Sequence, residues 1–205
     1  MAGLRERKKE QTRRRIAAAA LDLFRDRGYD NVTVSEIAEA AEVAKATLFT
    51  YYPTKESLVL GGVGDDDLAG IVAARPPGQS PLAALRAHFT DLAANPVAPD
   101  DSDAPEGSDA LMVRMRVILD SPALSASANG LRYRQRRELA DVLAREHAPT
   151  EAALMAAQIT ASLLTVQETF FQRLATGTTM ASAARALSAD VDLAFDLLEH
   201  GLARD

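Results

Sequence analysis

Apolar residues Ile16, Ala19, Ala20, Leu23 and Phe24 recur at spacings of three and four, a pattern that gathers them on one stripe of an α-helix. The stripe closes at Gly28, a residue suited to a left-handed helix terminus. The next start signal is fuller. Thr33 and Glu36 stand three apart as a capping box, and Val32 and Ile37 flank them as a hydrophobic staple, so a short helix is expected from about Val34 to Ala41. A break at Glu42 and Val43 leads into a second short helix, Lys45 to about Tyr51. Pro53 delimits it, because proline disfavours helical backbone at the residue before it. Two short helices across a tight turn have helix-turn-helix geometry. Thr54 can cap a fourth helix, with Lys55 in its first turn, where open backbone N–H groups and a cation together would hold a phosphate.

Beyond residue 60 the pattern is helix and loop throughout. Gly61, Gly62 and Gly64 each cost about 0.8–1 kcal/mol relative to alanine inside a helix; with Asp65, Asp66 and Asp67 they mark either a hinge or a break between two helices. The run RPPGQSP, residues 75–81, ends that element, and Ser80 with Pro81 can begin the next. Leu82, Leu85, Phe89 and Leu92 mark one helix, and Met112, Met115, Ile118 and Leu119 another. Between them, residues 95–108 are acidic and proline-rich and read as a mobile surface loop. Ser121 and Pro122 introduce a further helix bearing Leu124, Leu131, Leu139, Val142 and Leu143. Two long helices close the chain, from about Thr150 to Ala175 and from about Thr179 to Leu202, separated by Gly177. Their apolar surface, including Ala183, Leu187, Val191, Ala194 and Leu198, is wide enough for both a core and a partner. No segment shows the two-residue alternation of a strand. The fold class expected is therefore all-α, with a three-helix head containing the helix-turn-helix over residues 1–55 and a helical body over 56–205.

Charge changes the picture. The 205 residues carry a net −6, which by itself argues against a polyanionic partner. Its distribution argues otherwise: residues 1–60 hold 11 Lys and Arg against 9 Asp and Glu, and residues 61–205 hold 12 against 20. Within the first 15 residues, seven basic side chains (Arg5, Arg7, Lys8, Lys9, Arg13, Arg14, Arg15) face two acidic ones, a local field suited to a phosphate backbone. A solvated, frayed terminus is the plainer reading of that segment alone. Cysteine is absent, which excludes disulfides, thiolate metal sites and cysteine nucleophiles. No run of about 20 apolar residues is present to span a membrane, nor a signal sequence at the basic N-terminus, so a cytoplasmic protein without membrane contact is expected.

The run TVSEIAEAAEVAKATLFTYYPTKESLV, Thr33 to Val59, resembles the DNA-binding region of TetR-family regulators, whose pattern is Thr-Val-x-x-Ile-Ala-x-x-Ala-Gly-Val-Ser-x-Gly-Thr-Leu-Tyr-x-Tyr-Phe-x-Ser-Lys-x-x-Leu. With the preceding LDLFRDRGYDNVT, the likeness covers about residues 10–60. Two departures fall in the turn: Glu42 stands where the family usually has glycine, and Ala44 where it usually has a serine cap. The resemblance implies a homodimer joined through residues 150–202, a double-stranded palindromic operator, and release by a small-molecule effector, with no cofactor. It implies that Lys45, Ala46, Thr47, Thr50 and Tyr51 face the major groove or its flanking phosphates, and that Thr33, Tyr51 and Lys55 position phosphates. Leu48, Phe49 and Tyr52 are assigned to the core, since so small a unit needs its aromatics. Residues 5–15 would lie along the backbone or minor groove of the same site.

The family's ligand cavity lies in the body, which implies a lining drawn from Leu85, Phe89, Met112, Met115, Leu119, Tyr133, Gln167, Phe170 and Phe171, although for any one of them ordinary core is the plainer reading. The stretch LMVRMRVILDSPAL, Leu111 to Leu124, is similar to a TetR subgroup, common in actinobacteria, described as binding acyl-CoA-like ligands. That implies an apolar or acyl-like effector whose carboxylate or phosphate pairs with Arg114 or Arg116, unless these are surface arginines. An enzyme is the main rival class, but His88, His147 and His200 are isolated and no metal, triad or phosphate-loop spacing occurs. An activator or architectural DNA-binding protein without a ligand is the third reading.

Overall fold

The computed structural model describes residues 2–61, 63, 66–94 and 108–201. The described residues form only helices and connections: α1 (Ala2–Arg27), α2 (Val34–Ala40), α3 (Lys45–Tyr51), α4 (Ser57–Leu60), α5 (Leu68–Ala73), α6 (Pro81–Ala94), α7 (Ser108–Asp120), α8 (Pro122–Leu143), α9 (Pro149–Ala175) and α10 (Met180–His200). The chain packs as two compact units, Met1–Val63 with Ala98–Asn129, and Gly64–Val97 with Gly130–Asp205. This partition differs from a division at residue 55, because α7 packs against α1 and α4. Arg114 ties the contact, its Nε donating to the Val59 carbonyl at 2.5 Å. Helix α8 gives its first turns to one unit and the remainder to the other.

Local signals set most helix ends of the first unit. Gly28, at φ 77°, ends α1 in a left-handed cap whose N–H donates to the Phe24 carbonyl at 2.9 Å. One face of α1 buries Ile16, Ala17, Ala20, Leu21 and Phe24, and Val32, Ile37, Ala38, Leu48 and Tyr52 are buried within the same unit. The interval between Leu60 and Leu68 is a break between two helices, with Gly61 already extended at φ −54°, ψ 132°; Gly62, Gly64 and Asp65 lie outside the described residues, as do residues 95–107 of the acidic stretch read as a mobile loop.

The second unit is held by a shared apolar core. Leu68 and Val72 of α5, Leu85 and Ala93 of α6, Leu139 and Leu143 of α8, Ala152, Ala156 and Ile159 of α9, and Val191 and Phe195 of α10 form one buried cluster. Phe89 stacks on Phe195 with ring centroids 6.3 Å apart. Charged latches cross its rim: Arg86 of α6 reaches Asp196 at 2.8 Å and Glu199 at 3.4 Å on α10, and Arg173 of α9 pairs with Asp190 of α10. Helices α9 and α10 meet through a Schellman turn at Gly177, φ 90°, with Thr178 N–H donating to the Arg173 carbonyl and Gly177 N–H to that of Leu174, both at 3.0 Å.

Candidate nucleic-acid interface

The site is built from the turn outward. Thr33 caps α2 as the capping box requires: its Oγ1 accepts from the Glu36 N–H at 3.3 Å, and its own N–H donates to Glu36 Oε2 at 2.7 Å. Arg27 clamps the assembly, donating to Glu36 Oε1 at 2.8 Å and to the Asn31 carbonyl at 2.9 Å. The N–H and hydroxyl of Thr33, with Arg27 beside them, hold the Glu36 carboxyl at about 2, well below its usual range.

Helix α2 ends in a second Schellman turn, and here the departure at Glu42 acquires a geometry. Val43 N–H donates to the Ala38 carbonyl and Glu42 N–H to that of Glu39, both at 2.9 Å, which requires a left-handed residue at position 42. Glu42 supplies it at φ 51°, the one non-glycine residue at positive φ among those described. Ala44 then begins α3 with no side-chain cap, as its missing hydroxyl dictates.

Around α3, successive residues turn by about 100°. Leu48 is fully buried at 0% exposure and half-buried Thr47 and Tyr51 flank it, while Lys45, Ala46, Phe49 and Thr50 share an exposed arc. Of Lys45, Ala46, Thr47, Thr50 and Tyr51, expected to face the groove or its flanking phosphates, Lys45, Ala46 and Thr50 are thus exposed and the other two half-buried. The expectation of a core position for Phe49 is not met. Assigned to the core on size, it is 42% exposed, because it sits one turn beyond Lys45 on the outer side and Leu48 already fills the inner one. That position was available from the period alone.

Tyr52 is buried, its hydroxyl donating to the Arg13 carbonyl at 3.3 Å, which fixes the end of α3 against α1. The Arg13 guanidinium lies 5.6 Å from the centre of the Tyr52 ring. Ahead of this contact, α1 presents exposed Arg7, Lys8 and Lys9. Thr54 and Ser57 cap each other, Ser57 N–H donating to Thr54 Oγ1 at 3.1 Å and Thr54 N–H to Ser57 Oγ at 3.3 Å. Lys55 is turned partly inward: its Nζ donates to the Tyr29 carbonyl at 2.6 Å and lies 4.1 Å from the centre of the Tyr29 ring. Desolvation in that position pushes its ammonium below the ordinary lysine value.

The residues expected to line a ligand cavity are distributed differently. Met112, Met115, Arg116 and Leu119 belong to the first unit, and Phe89, Tyr133, Gln167 and Phe170 to the second. Phe89, Met112, Met115 and Phe170 are half-buried. Leu119 is 71% exposed and Tyr133 54%, and Arg116 and Gln167 are exposed too, which does not suit an enclosed lining. On α7 the cause is register: Val117 and Ile118 take the packed side, so Arg116 and Leu119 are carried to the opposite one. Tyr133 instead carries the guanidinium of Arg136 over its ring at 4.8 Å. Among the described residues no helix is long and apolar enough to cross a membrane.

The chain matches the family model for bacterial regulatory proteins of the TetR family over residues 16–61, the segment running from the second half of α1 through α4. The transcriptional regulator TcmR of Streptomyces glaucescens is 35% identical over 126 residues, 60% of this chain and 55% of TcmR, so the chain spans about half the length of that relative. The transcriptional regulator MftR of Mycobacterium tuberculosis is 32% identical over 141 residues, 68% of this chain and 67% of MftR. In three dimensions the crystal structure of NalD, a secondary repressor of the MexAB-OprM multidrug efflux pump in Pseudomonas aeruginosa, superposes with a TM-score of 0.59 at 16% identity over 96% of this chain and 99% of NalD, a likeness of fold. A capped α2, a turn closed by a left-handed residue and a short α3 with one face outward thus sit in a segment whose sequence relatives are helix-turn-helix regulators: the chain belongs to the TetR family of bacterial transcriptional regulators.

Proposed function

We propose that the chain is a cytoplasmic repressor that binds a palindromic double-stranded operator as a homodimer and leaves it when a small molecule enters the body. The observation that carries the DNA-binding part is the exposed arc of α3, with Lys45 at its start, in the same unit as the exposed Arg7, Lys8 and Lys9 of α1. Lys45, Ala46 and Thr50 meet base edges, and Thr47 and Tyr51, at the margin of the arc, meet flanking sugar and phosphate. Lys55 acts on a phosphate through donors left over from its internal bond, since an ammonium has three and Tyr29 takes one of them; Thr33, whose N–H and hydroxyl both donate to Glu36 Oε2, does so by exchanging its hydroxyl bond to Glu36 for one to the phosphate. Because residues 5–15 are helical here, they run along the backbone: a helix about 10–12 Å across does not enter a minor groove about 6 Å wide.

The dimer reading rests on α9 and α10. Helix α9 buries only Ala152, Ala156 and Ile159, while Leu163, Leu164, Val166, Phe170 and Phe171 stay half-buried and Leu154 is 59% exposed. Leu193 of α10 is 46% exposed. A second copy covering residues 150–202 would bury these, and two copies are needed to meet two operator half-sites. For the effector, half-buried Phe89 and Phe170, both in the second unit, favour an apolar or acyl-like molecule.

The test is to enrich duplexes from a random pool with the full chain and to measure affinity against salt concentration. Affinity should fall steeply as salt rises, and Lys45→Ala should flatten the log–log slope by about 2, about 1 for each half-site, if it meets a phosphate, or relax base preference at one position in each half-site if it meets guanine. A chain that retains no duplex at low ionic strength overturns the reading.

A further inference from the structure

The outward arc of α3 carries one charge and three apolar groups. Lys45 begins it. Ala46 offers a methyl, Phe49 a ring that is 42% exposed, and Thr50 a second methyl, because its Oγ1 donates to the Ala46 carbonyl at 3.0 Å and so turns its hydrogen toward the helix. The inner side is closed without the open part of the ring: Leu48 and Tyr52, its neighbours there, are 0% and 3% exposed. A phenyl ring has no N–H or O–H donor and no conventional acceptor, so it can form a hydrogen bond neither to a phosphate nor to a base edge. It can cover an apolar group. In the major groove the bases present N7, O6, O4 and amino groups, all polar, and a single apolar one, the C5-methyl of thymine.

Building on the DNA-binding function proposed above, we propose that Phe49, with the methyls of Ala46 and Thr50 beside it, is a specificity residue that reads thymine by its C5-methyl in each operator half-site. Recognition at that position is by apolar burial, and the hydrogen-bonding edge of the base plays no part in it. Uracil pairs as thymine does but lacks the methyl, so it isolates the contact. Burial of one methyl is worth about fourfold in affinity, or about 15-fold when both half-sites lose it.

The experiment uses the full chain and a duplex enriched from the random pool. Each thymine is replaced singly, then in symmetric pairs, by deoxyuridine, and dissociation constants are measured for the wild-type chain and for Phe49→Ala, whose helix content is checked by circular dichroism. The wild-type chain should lose about fourfold at one position in each half-site, while Phe49→Ala binds more weakly and is indifferent to uracil there. A wild-type chain indifferent to uracil everywhere overturns the proposal without recourse to any variant, as does an equal uracil penalty in both chains. If no duplex is enriched at all, the DNA-binding function itself falls and this reading with it; enrichment without uracil sensitivity leaves that function standing and removes only the role of Phe49.

Discussion

Helix α3 and helix α9 differ less in composition than in what holds them. The seven residues of α3 are too few to be helical alone, and their orientation is imposed by directional bonds nearby: the capping box at Thr33, the Schellman turn at Glu42 and the Tyr52 hydroxyl on the Arg13 carbonyl. The 27 residues of α9 bury three positions and leave most of their large apolar side chains half-covered. One helix is aimed; the other is adaptable. On the function proposed above, a reader must present particular atoms to a rigid duplex, whereas a body that pairs with a second copy or holds a ligand benefits from contacts that can rearrange. Directional hydrogen bonds serve the first need and non-directional burial the second.

The contrast can be broken most forcefully at Leu48. Leu48→Ala removes a fully buried side chain from a small core and should cost about 2–5 kcal/mol. Leu164→Ala, half-buried on α9, should cost about 1 kcal/mol when the chain is dilute enough to be single. Urea titration followed by helical circular dichroism reads both. Equal losses would mean that the second half of α9 is as firmly committed as α3, and the distinction between the two helices would go.

The same contrast explains how far the sequence could be read. The span of α3, Lys45–Tyr51, the start of α2 at Val34 and the cap at Thr33 were legible, because each is written within four residues of where it acts. The outward side of Phe49 was also written there, in the helical period, and was obscured by treating aromatic size as a sign of burial. The half-buried state of Met112 and Met115 and the exposure of Leu119 were not legible: they depend on which side of α7 meets α1 and α4, and those helices are about 50 to 100 residues away in the chain. The inward turn of Lys55 is of the same kind, since its acceptor is the carbonyl of Tyr29.

A smaller effect tests the local bonding of the head through pH. Glu36 titrates at about 2 in the folded chain, against 4.5 when unperturbed, because the N–H of Thr33, then its hydroxyl, then Arg27 favour the carboxylate. A depressed folded value contributes stability that is complete above about 4.5 and is lost as pH falls toward 2. Thr33→Ala should cost about 1 kcal/mol at neutral pH and should lessen the acid-dependent part of the loss, because the side-chain bonds from residue 33 are then absent at every pH. Thermal midpoints between pH 5 and pH 2 for the two chains check this; parallel curves would show that Glu36 owes its shift to Arg27 and the backbone alone.

The smallest change concerns a residue that departs from the family pattern. Glu42 occupies a left-handed conformation at φ 51°, which a side chain with a Cβ resists by about 1–2 kcal/mol. Glycine relieves that strain but makes the unfolded chain more flexible, which takes back about 0.4–1 kcal/mol. Glu42→Gly should therefore raise stability by about 0.5–1 kcal/mol, read as a higher urea midpoint with an unchanged slope. It also removes an exposed carboxylate from the turn between the two helices of the reader, so duplex affinity should rise at low salt. Glu42→Gln separates these causes: it keeps the backbone strain and removes the charge, and should match glycine in affinity but not in stability. If glutamine raised stability as much as glycine, repulsion among the neighbouring acidic groups Glu39 and Glu36 would be the cost at this position, and the left-handed turn would be held without strain.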